Sequence, residues 1–134
     1  MKKWRIEYSA EYKPSPLSFW VHKHLDNDVW RLASKFEPGL PKAIPLKGFP
    51  VLWVDAFGVP LWFSSIEEVE HFLEVIGVKN MPTPLHLTKK RNARYGPNGH
   101  WLSRLPAQLK PWSKREKLIP IVKEGLSQLK AIYE

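Results

Sequence analysis

The stretch Phe49-Pro50-Val51-Leu52-Trp53-Val54-Asp55-Ala56-Phe57-Gly58-Val59-Pro60-Leu61-Trp62-Phe63, continued by Ser64-Ser65-Ile66-Glu67-Glu68-Val69-Glu70-His71-Phe72-Leu73-Glu74-Val75-Ile76-Gly77, decides the fold. Residues 49–54 are apolar on both faces, as a central strand is. Asp55-Ala56-Phe57-Gly58 has turn chemistry, with glycine last. Val59, Leu61 and Phe63 then alternate with Pro60, Trp62 and Ser64. This predicts a β-hairpin over 49–63, with Pro60 placing the second strand at an edge or making it a strand start. Ser64 and Glu67 stand at capping-box spacing. Glu67 and Glu68 fall in a first turn, where the helix dipole favours negative charge. Ile66, Val69, Leu73 and Ile76 share one face, widened by Phe72. Gly77 reads as a left-handed residue just past the helix end. The expectation is a helix at about 65–76, capped by Ser64, with the cap worth about 1 kcal/mol.

On the N-terminal side, Trp4-Arg5-Ile6-Glu7-Tyr8 alternates as a half-buried strand does. Leu17, Phe19 and Val21 continue a period of two and suggest a second strand. Asp28 precedes Val29, Trp30, Leu32, Ala33 and Phe36 at helical spacing and is an acceptable cap. Residues 38–50 hold four prolines and two glycines and read as an irregular crossing segment. On the C-terminal side, Leu118, Val122, Leu126 and Leu129 predict a helix at about 113–132, with Ser113 and Glu116 as its capping box. Pro120 either kinks that helix or marks its first turn. The predicted fold is α+β in one domain, 1–134. It has a small antiparallel sheet packed by two helices and a basic, proline-interrupted loop at about 78–112.

The charge is concentrated. No acidic residue lies between Val75 and Arg115, and nine basic ones do, counting Arg115 itself: Lys79, Lys89, Lys90, Arg91, Arg94, Arg104, Lys110, Lys114 and Arg115. Residues 1–74 carry nine basic and ten acidic residues and residues 116–134 three of each, so −1 + 9 + 0 accounts for the net +8. A concentrated field of this kind suits an anionic partner. Cysteine is absent, which excludes disulfides, thiolate metal sites and a cysteine nucleophile and fits a reducing cytoplasmic setting. No apolar run approaches the ~18 residues of a membrane span. Seven tryptophans and thirteen prolines predict short elements joined by ordered, extended connections.

The candidate site is a nucleic-acid or anion-binding segment, 89–115. Its basic members are Lys89, Lys90, Arg91, Arg94, Arg104, Lys110, Lys114 and Arg115, with Tyr95, His100, Trp101 and Trp112 interleaved. Cations neutralise phosphates, and flat rings stack on unpaired bases. The competing reading makes the cations a solvated face and the tryptophans core anchors. His22, His24, Asp26 and Asp28 would share one face of an extended strand and could hold a metal, although Asn27 and Asp28 also suit a turn and a cap. Trp53 and Trp62 lie on facing strands of the hairpin and are candidate cross-strand neighbours. Packing into the core is their first reading, and an exposed aromatic patch for a partner or homodimer the second.

No phosphate loop of the Walker type, nucleophile elbow or metalloprotease helix motif occurs, and no stretch resembles a family of known activity. The expectation is a non-catalytic cytoplasmic protein that contacts nucleic acid, without a cofactor, catalytic residue or metal. The alternative is an adaptor or inhibitor on an acidic protein surface. A metal-dependent hydrolase or nuclease ranks third.

Overall fold

The computed structural model describes residues 3–26, 30, 33–80 and 101–134, the side chains of Ser103 and Arg104 excepted. The fold is α+β. Strands β1 (Trp4–Ser9), β4 (Phe49–Ala56) and β5 (Val59–Phe63) form an antiparallel sheet in the order β1-β4-β5. Between β1 and β4 lie a short helix α1 (Ser18–Val21) and a two-stranded ribbon of β2 (Lys23–His24) and β3 (Phe36–Glu37). Helices α2 (Ile66–Ile76) and α3 (Trp112–Ile132) follow, with 3-10 turns at Trp101–Arg104 and Ala107–Leu109 before α3.

The hairpin turns on Phe57 and Gly58, whose φ values of 53° and 88° are those of a type I′ turn. Asp55 braces it by accepting the Gly58 N–H at 2.9 Å. Ala56 pairs with Val59 at the turn, Asp55 with Pro60, and Trp53 with Trp62. The Asp55 N–H points away from β5 and donates to Lys3 C=O at 2.7 Å. Asp55 and Pro60 are therefore a non-hydrogen-bonded pair, the one place where proline costs the ladder nothing. Alternation makes Trp53 and Trp62 a second such pair, the type with the closer side chains, and their rings stack 5.8 Å apart.

Leu52, Val54, Ala56 and Phe63 turn to the helices and are buried with Val69, Phe72 and Ile76 of α2 and Leu118, Val122 and Leu129 of α3. Gly125 lets α3 press on β4, since a Cβ there would stand 2.7 Å from Leu52 Cδ1. The Trp53–Trp62 pair lies on the opposite face, half-buried, with Lys13 Nζ 4.7 Å from the Trp62 ring centre and the Arg5 guanidinium 5.2 Å from that of Trp53. The sheet's register assigns the pair to the outer face, where cations cover it; the core reading does not hold.

Several local expectations change. Leu17, Phe19 and Val21 belong to a helical turn and its approach, because Ser15 and Ser18 bond each other's backbone there: Ser15 N–H donates to Ser18 Oγ at 2.8 Å and Ser18 N–H to Ser15 C=O at 3.0 Å. Phe36 lies in β3, and 33–35 are non-helical; the cap residue Asp28 and its neighbours Val29 and Leu32 lie outside the described residues. Ser65, one residue later than expected, caps α2. Gly77 is right-handed at φ −76° and donates its N–H to Leu73 C=O. Pro111, with no side-chain cap, replaces Ser113 at the start of α3, and Pro120 lies inside that helix with its ring exposed. Residues 101–109 are not surface loop, since Trp101, Leu102, Leu105 and Leu109 are core residues.

Gly48 locks the entry to β4. Its φ is +102°, and a Cβ there would fall 2.3 Å from Ser9 C=O, at the end of the β1–β4 register. Gly48→Ala is expected to lower stability by at least about 2 kcal/mol, through left-handed strain and the backbone clash. Thermal unfolding checks this, with Gly39→Ala as a control whose Cβ meets nothing within 4 Å.

Candidate functional site

Glu68, fully buried in the first turn of α2, gathers the N-terminal segment around its carboxylate. Oε1 accepts from Ser15 Oγ and, at 3.1 Å, from the Ser64 N–H. Oε2 accepts from Tyr12 Oη, Ser18 Oγ and Ser65 Oγ at 3.0, 3.0 and 2.9 Å. His22 Nε2 lies 3.3 Å from Oε2 and 2.7 Å from Ser65 Oγ. His22 Nδ1 meets the Pro38 carbonyl at 2.8 Å, so that nitrogen carries a proton and donates. Ser64 Oγ donates to the Lys13 carbonyl, and Ser65 Oγ accepts the Glu68 N–H. Segments 12–22 and 38 thus close on the start of α2 through one anion.

Burial pushes the His22 imidazole down, but the bonds to Glu68 and the Pro38 carbonyl, with the nearby negative charge, outweigh it and raise it above its ordinary 6.5. Burial pushes Glu68 up, and the bonds from His22, Ser15 and the Ser64 N–H more than reverse this, holding it below its ordinary 4.5. Both shifts favour the ionised form of the pair. Tyr12 is pushed far up by burial and by the same carboxylate, so it stays a phenol and a donor.

Above this hub opens a cleft of about 700 Å³. It is lined by Pro14, Ser15, Pro16, Leu17 and Phe19, by β5 with Phe72, and by Trp101, Leu105 and Pro106. Within that lining the rings of Phe63, Phe72 and Trp101 follow one another with centres 5.0 and 5.3 Å apart. Ser15 belongs to both cleft and hub, and its proton is committed to Glu68. Ser65 and His22 have the spacing of a nucleophile and base, yet Ser65 is buried, does not line the cleft and serves as a helix cap. The size and apolar lining are those of a cleft that can enclose an apolar guest.

Of the expected basic site, only Trp101, Lys110, Trp112, Lys114 and Arg115 are described with their side chains. Lys89, Lys90, Arg91, Arg94, Tyr95 and His100 lie outside the described residues, as does the side chain of Arg104. Trp101 is a core residue, 3 % exposed, so its ring is closed to stacking. Arg115 is 4 % exposed and spends its guanidinium on the carbonyls of Lys110, Ile76, Val78 and Lys79 at 2.6–2.9 Å, tying the end of α2 to the start of α3. Burial lowers its pKa, and its guanidinium also lies 5.1 Å from the ring centre of the half-buried Trp112. Lys110 and Lys114 remain exposed, Lys114 with its Nζ 4.7 Å from the Phe57 ring centre.

The metal reading disperses. His22 belongs to the hub, and Asp26 accepts from Ser34 and Lys35, bonds that pull its carboxyl down to about 2. Asp28 lies outside the described residues, and among those described no group of three or more histidines and carboxylates could hold a metal ion. Among them, too, no helix is long and apolar enough to cross a membrane. Glu68, Tyr12, Ser15 and Ser18 were not candidates in the sequence. The paired serines at 15 and 18 are the one signal, and nothing in one dimension joins them to residue 68. Comparisons with protein-family models, curated proteins and solved structures give no match for this chain.

The two shifts set a pH optimum. The His22 contribution is fully present below pH 6.5 and is lost as pH rises through its raised folded value; the Glu68 contribution is present above 4.5 and is lost as pH falls through its lowered one. Urea unfolding should find the hub's contribution greatest between pH 4.5 and 6.5. Glu68→Gln should remove about 3 kcal/mol and flatten the alkaline-side decline, since His22 then has no anion to hold its proton.

Proposed function

We propose that this chain is a non-catalytic binding protein that takes an apolar guest in the cleft lined by β5 and the segments at 14–19 and 101–106. The observation that carries the reading is the division of labour around Ser15. The polar groups of the hub are turned inward and bond one another, while the cleft side is apolar and holds Phe19, 42 % exposed, in its lining. Such a surface gains by excluding water and offers no free nucleophile and base to a bound molecule. Nile red, a neutral apolar dye, should bind saturably at one site per chain, and Phe19→Asp should weaken that binding at least tenfold without changing the circular dichroism. Binding that is non-saturable, or indifferent to Phe19→Asp, overturns the reading.

Contact with nucleic acid is the second reading, favoured by the charge pattern of residues 79–115 and by the exposed Lys110 and Lys114. With Trp101 in the core and Arg115 enclosed, it rests on electrostatics more than on stacking. Binding of a short single-stranded RNA should then fall roughly tenfold or more between about 50 and 200 mM salt. It should disappear when Lys89, Lys90, Arg91 and Arg94 are changed to glutamate. Affinity unchanged in that variant refutes it. An acidic protein surface is the remaining alternative, and a partner retained after nuclease treatment would favour it over nucleic acid.

A further inference from the structure

The open edge of β5 forms part of the cleft, and its backbone defines what can lie there. The pairs Ala56–Val59, Val54–Leu61 and Leu52–Phe63 use the backbone groups of β5 that face β4. By the same alternation the Trp62 N–H and C=O and the Pro60 C=O face outward. Among the described residues no strand pairs with this edge. The ladder is short by construction, because Pro60 has no N–H and the Ser64 N–H is committed to Glu68.

We infer, on the basis of the cleft reading above, that the guest is an extended apolar segment of a partner protein that adds to β5 as a short strand, with an acidic side chain against Lys13. Three arguments converge. One donor and two acceptors in a row match an extended backbone, which exchanges two hydrogen bonds with residue 62 and gives a third to Pro60. The cleft lining along the strand is apolar, with Pro16 and Phe19 exposed and Pro106 half-buried, so apolar side chains of a guest meet apolar surface. At the Pro14 end, Lys13 sits over the Trp62 ring and no ion pair among the described residues engages it. A carboxylate on the guest complements it on a chain of net charge +8.

The test is selection of a displayed library of random octapeptides against the full chain, followed by synthesis of the enriched sequences. They should be apolar with an acidic residue at one end, and binding should move the backbone amide resonance of Trp62. N-methylation of every second peptide nitrogen should cost at least tenfold in affinity in one parity and under threefold in the other, since only alternate N–H groups face β5. Lys13→Glu should cost about tenfold for the acidic peptide and little for its amide analogue. A flat N-methylation profile, an unmoved Trp62 amide or the absence of enriched peptides overturns strand addition. If Nile red still binds and Phe19→Asp still weakens it, the cleft reading stands and only the peptide inference fails; if Nile red binding fails as well, both fall.

Discussion

The carboxylate of Glu68 is the constraint on which the rest depends. An unpaired buried anion is intolerable, because moving it out of water costs several kcal/mol after relaxation. It persists here because three serine hydroxyls, a tyrosine, a backbone N–H and the His22 ring meet its two oxygens. These donors come from segments that have little regular structure of their own. The anion orders residues 12–22 against α2, and that ordering builds the cleft lining at 14–19. A fully satisfied polar network is rigid and geometrically specific, since each donor has one place to be. The hub therefore acts on the cleft by holding Ser15 and its neighbours.

Arg115 plays the complementary part at the other end of α2. Its guanidinium meets carbonyls of Ile76, Val78 and Lys79 at the helix's C-terminal end, where cations are favoured, and carries α3 with it. The chain thus places an anion beneath the first turn of its central helix and a cation at the last. Both are buried and both bind the ends of segments that the sheet does not hold. The most basic part of the sequence uses one of its charges for internal architecture, which is why local charge density overstates what reaches a partner.

The hairpin and the helix after it were readable because their causes are local. Alternation, the turn at Phe57–Gly58 and Pro60 at the edge follow from residues within a few positions of each other, and register then set the tryptophan stack. The cap moved from Ser64 to Ser65 because both serines satisfy the local pattern. Ser65 sits one turn from Glu68, and the hub needs that residue to pin His22 and Glu68 together. The strand expected at 17–21 became a helical turn for a related reason, since the Ser15 and Ser18 side chains offer the backbone closer partners than any neighbouring strand.

By itself, then, the sequence determined the α+β class, the 49–63 hairpin, the two long helices and the uneven charge, because each depends on spacing along the chain. Only the tertiary structure decided which tryptophan was core and which surface. It also decided that Arg115 would face inward and that His22 would meet the Glu68 carboxylate. Those outcomes depend on which distant segments come together: Tyr12 with Glu68, Pro38 with His22, Arg115 with Lys79. The energy of a buried charge is set by its neighbours in space, and a single sequence states only its neighbours in the chain.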